Sequence, residues 1–309
     1  MVEKEIDPIP DLPSEIIQAI ENEKLVIFIG AGVSRLMGCK GWDDLARDLV
    51  RKCYELECIN YREQETLERE KDHKKTITVC YHLLENNHKE TFFEVFNRAL
   101  EKSNSSEISK IYEQLNKLNA VFVTTNADCH FDEFFLKERV YWDESTFEES
   151  NLETRKLFHI HGSQKQQNTL VFTVDAYIQR YKDEKFKKFL EHIFDSGNWT
   201  VLFMGYGLSE FELLDYVIGK SSSGKEGRNS EGAYRHFALL PYYREEVHLK
   251  EIHQLYYNHL GIKILAYRKD ERGYDQLYYV VRCWYDRQIR KTILIPKEFK
   301  DIECFVNSL

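Results

Sequence analysis

The feature that most constrains this chain is a run of five apolar residues, Leu25–Ile29, that ends directly in the turn Gly30-Ala31-Gly32. A run that is apolar at every position is typical of a parallel strand buried on both faces of a sheet. Glycine after such a strand lets the backbone turn tightly into a helix and lets a phosphate group approach closely. The segment therefore predicts the first strand of an α/β sheet, followed by a candidate nucleotide-binding turn.

The glycine turn is not specific by itself. A strict G-x-G-x-x-G fingerprint would need glycine at position 35, where this chain has Arg35. The same turn is also compatible with a plain connection between a strand and a helix. The interpretation therefore depends on the segments that follow the other strands.

Further β-rich segments alternate with helical patterns along the chain. We predict strands at residues 120–125, 157–161, 170–173, 200–205, 237–240 and 262–267. We predict helices at residues 14–23, with Ser14 as the N-cap, and at 42–56, 176–194, 245–260 and 274–288. Strands that alternate with helices predict an α/β, Rossmann-like, doubly wound parallel sheet.

One region departs from this alternation. Residues 60–117 are rich in charged and helical patterns and contain no β-rich segment, so we interpret them as a helical insertion. We predict one domain over residues 14–270, interrupted by this insertion. Residues 271–309 would then form a C-terminal helix and tail, available for contact with a partner or a second copy. Residues 221–232 are rich in Gly, Ser and charge, which predicts a loop.

Composition argues against several classes of protein. A net charge of −9 disfavours a general nucleic-acid binder, because phosphate contacts need clustered Lys and Arg. The seven cysteines are scattered without any C-x-x-C pair, so we expect neither a disulfide framework nor a zinc module. The first residues do not resemble a secretory signal, and no apolar run is long enough to span a bilayer. We therefore expect a soluble, cytoplasmic protein.

Polar or glycine residues follow three of the predicted strands. Asn126 and Asp128 follow the strand at 120–125, His161-Gly162 closes the strand at 157–161, and Gly205-Tyr206-Gly207 closes the strand at 200–205. Each group alone could be an ordinary turn. Ligands of open α/β sheets bind at the carboxyl ends of the strands, however, and all three groups lie at such ends. Their joint placement predicts a binding site.

These motifs, in this order, resemble those of sirtuins. The family has a G-A-G-x-S loop, a T-Q-N-x-D segment, an H-G dipeptide and a G-x-S-L turn. This chain has Gly30-Ala31-Gly32-Val33-Ser34, residues 124–128 as Thr-Thr-Asn-Ala-Asp, His161-Gly162 and residues 205–208 as Gly-Tyr-Gly-Leu. It is most similar to the divergent sirtuin-like domains of bacterial anti-phage defence proteins, in which Gly-Trp, here Gly41-Trp42, often follows the loop.

The resemblance implies that NAD⁺ is the substrate, and it implies a role for each matching residue. Asn126 would position the nicotinamide ribose and a water molecule, Asp128 would contact the nicotinamide carboxamide, and His161 would act as a base. The remaining positions would bind the rest of the dinucleotide; they are Gly30, Ala31, Gly32, Ser34, Thr125, Gly205, Tyr206 and Gly207. Cleavage of the nicotinamide–ribose bond builds positive character on the sugar, as in glycoside hydrolysis. Asn126, Asp128 and His161 in one pocket could support this cleavage without a metal.

The sequence also departs from the sirtuin pattern. Thr125 replaces the glutamine of T-Q-N-x-D, Gly207 replaces the serine of G-x-S-L, and the four zinc-binding cysteines of protein deacylases are missing. These departures favour hydrolysis of NAD⁺ over deacylation. Two alternatives remain open: a module that binds NAD⁺ or ADP-ribose without turnover, and a zinc-independent deacylase.

The resemblance further implies an NAD⁺-depleting effector of anti-phage abortive infection, held inactive until infection is sensed. An uncontrolled NAD⁺ hydrolase would kill its host, so we expect homo-oligomerisation or a partner protein to control the site. The sequence after about residue 267 predicts only a helix and a tail, which is too little for a sensor. We expect the sensor to be another protein, such as a motor ATPase, or a domain outside this sequence.

Overall fold

The computed structural model describes residues 5–196, 198–206 and 235–290. They form a seven-stranded parallel sheet in the order β3-β4-β2-β1-β5-β6-β7. The strands are β1 (Leu25–Ile29), β2 (Val121–Thr124), β3 (Val140–Tyr141), β4 (Leu157–His159), β5 (Thr200–Met204), β6 (His236–Tyr242) and β7 (Ile262–Arg268). The predicted α/β, Rossmann-like fold class is confirmed.

The α-helices of the described residues cover both faces of the sheet and one of its edges. In chain order they are α1 (Ser14–Glu21), α2 (Ala31–Leu36), α3 (Trp42–Glu55), α4 (Tyr61–Arg69), α5 (His73–Leu84), α6 (Lys89–Ala99), α7 (Ile111–Asn116), α8 (Val174–Lys182), α9 (Glu184–Glu191), α10 (Val247–His259) and α11 (Gln276–Trp284). Turns of π-helix follow α9 at His192–Ser196 and α11 at Tyr285–Ile289.

The central strand β1 shows why its sequence is apolar throughout. Leu25, Ile27 and Ile29 belong to one hydrophobic core, and Val26 and Phe28 belong to a second core on the opposite face. Side chains alternate between the two faces of a strand, so a strand with a helical layer on each side must be apolar at every position. All five residues are at most 1% exposed.

The order of the strands places a crevice beside β1. The chain leaves β1 towards β2 and later returns to pair β5 on the other side of β1. Connections that diverge in this way leave room for a ligand at the carboxyl ends of the strands. The segments that follow β1, β2 and β5 therefore meet at one edge of the sheet.

A third hydrophobic core lies over this carboxyl edge. Helices α3, α5 and α6 pack together and also cover Ala127, Leu170 and Phe172, which lie on the loops after β2 and β4. All the secondary-structure elements at residues 60–117 are helices, as the sequence predicts. Helix α7 packs against the sheet, while α3, which precedes residue 60, contributes to the helical core. The proposed domain boundaries stay a prediction.

One predicted strand is wrong. Residues 170–173 are β-rich but pair with no strand, and they run as an extended loop beneath the helical core. The backbone N–H of Val171 donates to the carbonyl of His161, and the ring of Phe172 packs against Tyr81 and Phe92 at 5.1 Å. Leu170 and Phe172 belong to the helical core and Val171 belongs to the second core, so burial between two cores, not pairing in a sheet, explains the apolar residues of this segment.

Two helix predictions also need correction. The single helix expected at 176–194 is divided between α8 and α9 by Asp183, which has extended backbone and whose carboxylate accepts from the N–H of Phe186. The N-cap of α1 is Pro13 instead of Ser14, and the hydroxyl of Ser14 donates to Glu15 within the helix. A proline before the first turn provides a suitable φ without a capping hydrogen bond.

Two further properties concern only the part of the chain that the structure describes. None of its helices combines the length and apolar character needed to cross a lipid bilayer. Within the same residues, no three His, Cys, Asp or Glu side chains are grouped so that they could hold a metal ion.

Candidate functional site

Hydrogen bonds hold Asn126, in the segment after β2, in one conformation. Its backbone N–H donates to the hydroxyl of Thr124 at 3.0 Å, and that hydroxyl donates to the carbonyl of Ile29 at 3.2 Å. Its side-chain nitrogen donates to the carbonyl of Gly30 at 3.0 Å and to the hydroxyl of Ser34 at 2.7 Å. Because both amide hydrogens are used, the amide oxygen of Asn126 is the group left to meet a ligand.

Asp128 completes a buried polar network with Ser34 and Tyr112. The hydroxyl of Ser34 donates to one carboxylate oxygen of Asp128 at 2.5 Å. The hydroxyl of Tyr112 lies 3.1 Å from Ser34 and 3.4 Å from the other oxygen of Asp128. Burial, reinforced by the charge of Asp128, raises the pKa of Tyr112 well above its ordinary value, so this hydroxyl stays protonated as a donor.

A narrow pocket opens onto this network. Its polar lining comes from Ser34 and from the segment after β2, which provides Thr125, Asn126 and Asp128. The rest of the lining is mainly apolar and comes from Ala127 after β2, the glycine turn, the residues before and at the start of α3, and the end of α6. Apart from Ala127, it consists of Ala31, Lys40, Gly41, Trp42, Leu45, Phe96, Ala99 and Leu100. Polar groups at one side of an apolar cleft are typical of a small-molecule site.

The glycine turn is pressed against the end of β5. A Cβ atom on Gly30 or Gly32 would lie 2.6 or 2.8 Å from the carbonyl oxygen of Gly205. The N–H of Gly30 donates to Met204 and that of Gly32 donates to Gly205, at 2.9 and 2.8 Å. These two glycines therefore join β1 to β5, and their N–H groups are already engaged by the chain. Their predicted role towards a pyrophosphate stays a prediction.

The residues after β5 are only partly within the described structure. Gly205 has a φ of +60°, and its close approach to the N–H of Val33 leaves no room for a side chain. The ring of Tyr206 packs in the second core, with its centroid 5.3 Å from that of Phe28. Neither residue lines the pocket. Gly207 lies outside the described residues.

His161 is enclosed on the other side of the site. It is 2% exposed, and its Nε2 lies 3.1 Å from the hydroxyl of Tyr181 and its Nδ1 3.4 Å from that of Tyr177. Both tyrosines come from α8, four residues apart, so the helix covers the imidazole with one face. His161 is not among the residues that line the pocket.

The structure thus brings together part of the predicted set. Ala31, Ser34, Thr125, Asn126 and Asp128 line one pocket. No pattern in the sequence singles out Tyr112, because an inward-facing tyrosine on an amphipathic helix looks like any core residue. For His159, whose ring bonds the backbone of Asn126, the sequence offers one hint: it is a second histidine, two positions before His161.

Comparison with known protein families agrees with this architecture. Residues 120–265 match the family model of the SIR2-like domain, a stretch that begins at β2 and reaches into β7. The matched segment contains Asn126, Asp128 and His161. A search of curated proteins finds no relative that matches the chain.

Proposed function

We propose that this chain, which contains a sirtuin-like domain, hydrolyses NAD⁺ at the nicotinamide–ribose bond. A SIR2-like domain supports the use of NAD⁺ in general. The observation that carries the finer proposal is the convergence of an amide, a carboxylate and a hydroxyl, from Asn126, Asp128 and Ser34, on one pocket at the carboxyl edge of the sheet.

The chemistry of the reaction fits these groups. The leaving nicotinamide is a flat ring with a carboxamide, and the pocket offers the apolar side chains of Trp42, Leu45 and Phe96 for the ring. In the proposal the carboxylate of Asp128 accepts from the carboxamide. The oxygen of Asn126 holds the ribose or the attacking water while positive character develops on the sugar. A side chain fixed beforehand loses little entropy when the substrate binds.

The position of His161 favours a second candidate function, the binding of NAD⁺ or ADP-ribose without turnover. Its burial behind Tyr177 and Tyr181 keeps the imidazole away from the pocket in this conformation. A module that binds NAD⁺ or ADP-ribose without turnover would have no use for a base that reaches the ligand. In the glycohydrolase proposal, α8 moves or the imidazole turns when the site is activated.

The test is to follow the release of nicotinamide and ADP-ribose from NAD⁺ by chromatography. We expect the wild-type chain to release nicotinamide and Asn126→Ala to lower the rate at least about 100-fold, because a preorganised polar group at the reacting sugar is removed. Asn87→Ala, at an exposed asparagine in a turn, is the matched control and should keep the wild-type rate.

Each other outcome has a clear meaning. Equal release by wild-type protein and Asn126→Ala would contradict the proposed site. Binding of intact NAD⁺ without release, even with an activating partner present, would favour the binding module. Release that depends strictly on an added acylated peptide would favour a deacylase.

We also propose that assembly controls the activity. An exposed apolar stripe on α10 supports this, because Leu249, Ile252, Leu255 and Tyr256 are 40–73% exposed. Light scattering after size-exclusion chromatography should give a mass above that of one chain, and Ile252→Lys with Leu255→Lys should lower both the mass and the rate. A fully active monomer would contradict this control.

The physiological role that we propose is depletion of NAD⁺ in a bacterial cell infected by phage. The likeness of the glycine loop to defence domains supports it. Cells that express the chain should lose NAD⁺ only after infection, and cells that express Asn126→Ala should not lose it. A partner protein that senses infection is part of this proposal; loss of NAD⁺ in uninfected cells would contradict it.

A further inference from the structure

His159 lies between two hydrogen-bond acceptors at the end of β4. Its Nε2 is 2.8 Å from a carboxylate oxygen of Asp132, and its Nδ1 is 3.1 Å from the carbonyl oxygen of Asn126. The register of the sheet places His159 beside Thr124, so the ring reaches the segment that follows β2. The side chain of His159 is 1% exposed and that of Asp132 is 8% exposed.

Two acceptors require two donors. A neutral imidazole carries one N–H, so one ring nitrogen would turn a lone pair towards an oxygen lone pair at about 3 Å. An imidazolium donates at both nitrogens, and the carboxylate of Asp132 balances its charge. The geometry therefore favours the charged form of His159. Burial of an unpaired charge would be costly, but here Asp132 is the partner.

The neighbouring charges act in the same direction. Burial lowers the pKa of His159, but the hydrogen bond to Asp132 and the charges of Asp132 and Asp128 outweigh it and raise the pKa above its ordinary value. Lys165, which lies 3.3 Å from the second oxygen of Asp132 and beside Cys129, keeps that carboxylate ionised. Burial opposes ionisation of Asp132, yet His159 and Lys165 together lower its pKa.

We propose that His159 is a positioning residue: a buried imidazolium, paired with Asp132, that holds the carbonyl of Asn126 and thereby fixes the Asn126 amide in the pocket. The backbone N–H of Asn126 is held by Thr124 and its side chain by Gly30 and Ser34. The His159 bond holds the one remaining backbone group of this residue. The kinetic consequence of this proposal rests on the proposed function, whereas the charge state of His159 does not.

A positioning imidazolium gives the reaction an upper pH limit. Because the folded pKa is raised above the unfolded value, the charged form contributes fully below the unfolded pKa and its contribution is lost as the pH rises through the folded pKa. Above that point the ring has one N–H for two acceptors, and the Asn126 segment loosens. The rate of NAD⁺ cleavage should therefore fall on the alkaline side.

Asp132→Asn tests this coupling, since asparagine keeps the shape and an acceptor but removes the charge. We expect the alkaline limb of the pH–rate profile to shift to lower pH by at least about one unit. Lys165→Gln is the matched control: it removes a half-exposed charge from the same carboxylate and should move the limb by less than about half a unit. A limb unmoved in folded Asp132→Asn would overturn the proposal.

Nuclear magnetic resonance of isotope-labelled histidine in the full chain decides the charge state without any activity. We expect both ring nitrogens of His159 to be protonated at about pH 7.5 in the wild-type chain, where an ordinary histidine is neutral. A neutral His159 ring there would overturn the inference even in an active enzyme. A charged ring in a chain that never cleaves NAD⁺ would support the charge state and contradict the proposed function instead. If Asp132→Asn fails to fold, the wild-type spectrum still gives this answer.

Discussion

The ends of β2 and β4 lie next to each other at the same edge of the sheet, yet they present their polar side chains in opposite ways. After β2, Asn126 and Asp128 face a pocket and are held by four hydrogen bonds to Gly30, Ser34 and Tyr112. After β4, His161 is covered by two tyrosines. In the candidate site, the half after β2 is therefore open to a pocket and the half after β4 is closed.

The largest expected effect tests whether the closed half takes part in the chemistry. His161→Ala should lower the rate of nicotinamide release about 10²–10⁴-fold, the range for loss of a general base, while circular dichroism shows an intact fold. Tyr181→Phe keeps the imidazole and removes one neutral hydrogen bond, so its rate should stay within about fivefold of wild type. A fully active His161→Ala would give His161 a purely structural role.

The next effect tests how tightly the closed half is built. Gly162, directly after His161, has a φ of +76°, and a Cβ atom there would lie 2.1 Å from the carbonyl oxygen of Thr169. Gly162→Ala should lower the free energy of unfolding by about 3 kcal/mol, from backbone strain and overpacking together. Gly273→Ala is the control, since its φ is +55° with no atom within 4 Å, and it should cost about 1 kcal/mol. Denaturant titration measures the free energy of unfolding of both variants. Equal losses would contradict the crowding described at Gly162.

The smallest effect concerns the open half. Ser34→Ala removes the hydroxyl that accepts from Asn126 and donates to Asp128. We expect the rate to fall about tenfold, equivalent to about 1.4 kcal/mol, because Asn126 and Asp128 lose their common partner and are held only by Gly30 and Tyr112. Steady-state kinetics should show the change in kcat. A variant with unchanged kcat would mean that this network does not set the position of Asn126.

Much of the fold could be predicted because single strands carry strong local patterns. The buried run Leu25–Ile29 gives β1 its bounds, and the ordered motifs place Asn126, Asp128 and Ser34 near one another. The edge strand β3 is only two residues long and has no pattern to detect. Residues 170–173 have a strand-like composition, but whether an extended segment finds a partner strand depends on tertiary contacts that a local pattern does not contain.

The candidate site shows the same limit. A motif names the residues that end each strand but not how a distant helix covers them. Tyr177 and Tyr181 enclose His161 from α8, and Tyr112 joins the network from α7, in a region whose sequence indicates only helices. The ring of His159 reaches Asn126 because β2 and β4 are neighbours in the sheet, although 33 residues separate the two in sequence.

The most direct test of the central claim is the structure of Asn126→Ala with NAD⁺ bound, since a variant that cleaves slowly would keep the substrate intact. We predict that the nicotinamide ring lies in the pocket beside Trp42, with its carboxamide at Asp128 and the glycosidic bond at the position vacated by the Asn126 side chain. Bound NAD⁺ with its nicotinamide outside this pocket would contradict the assignment of the site.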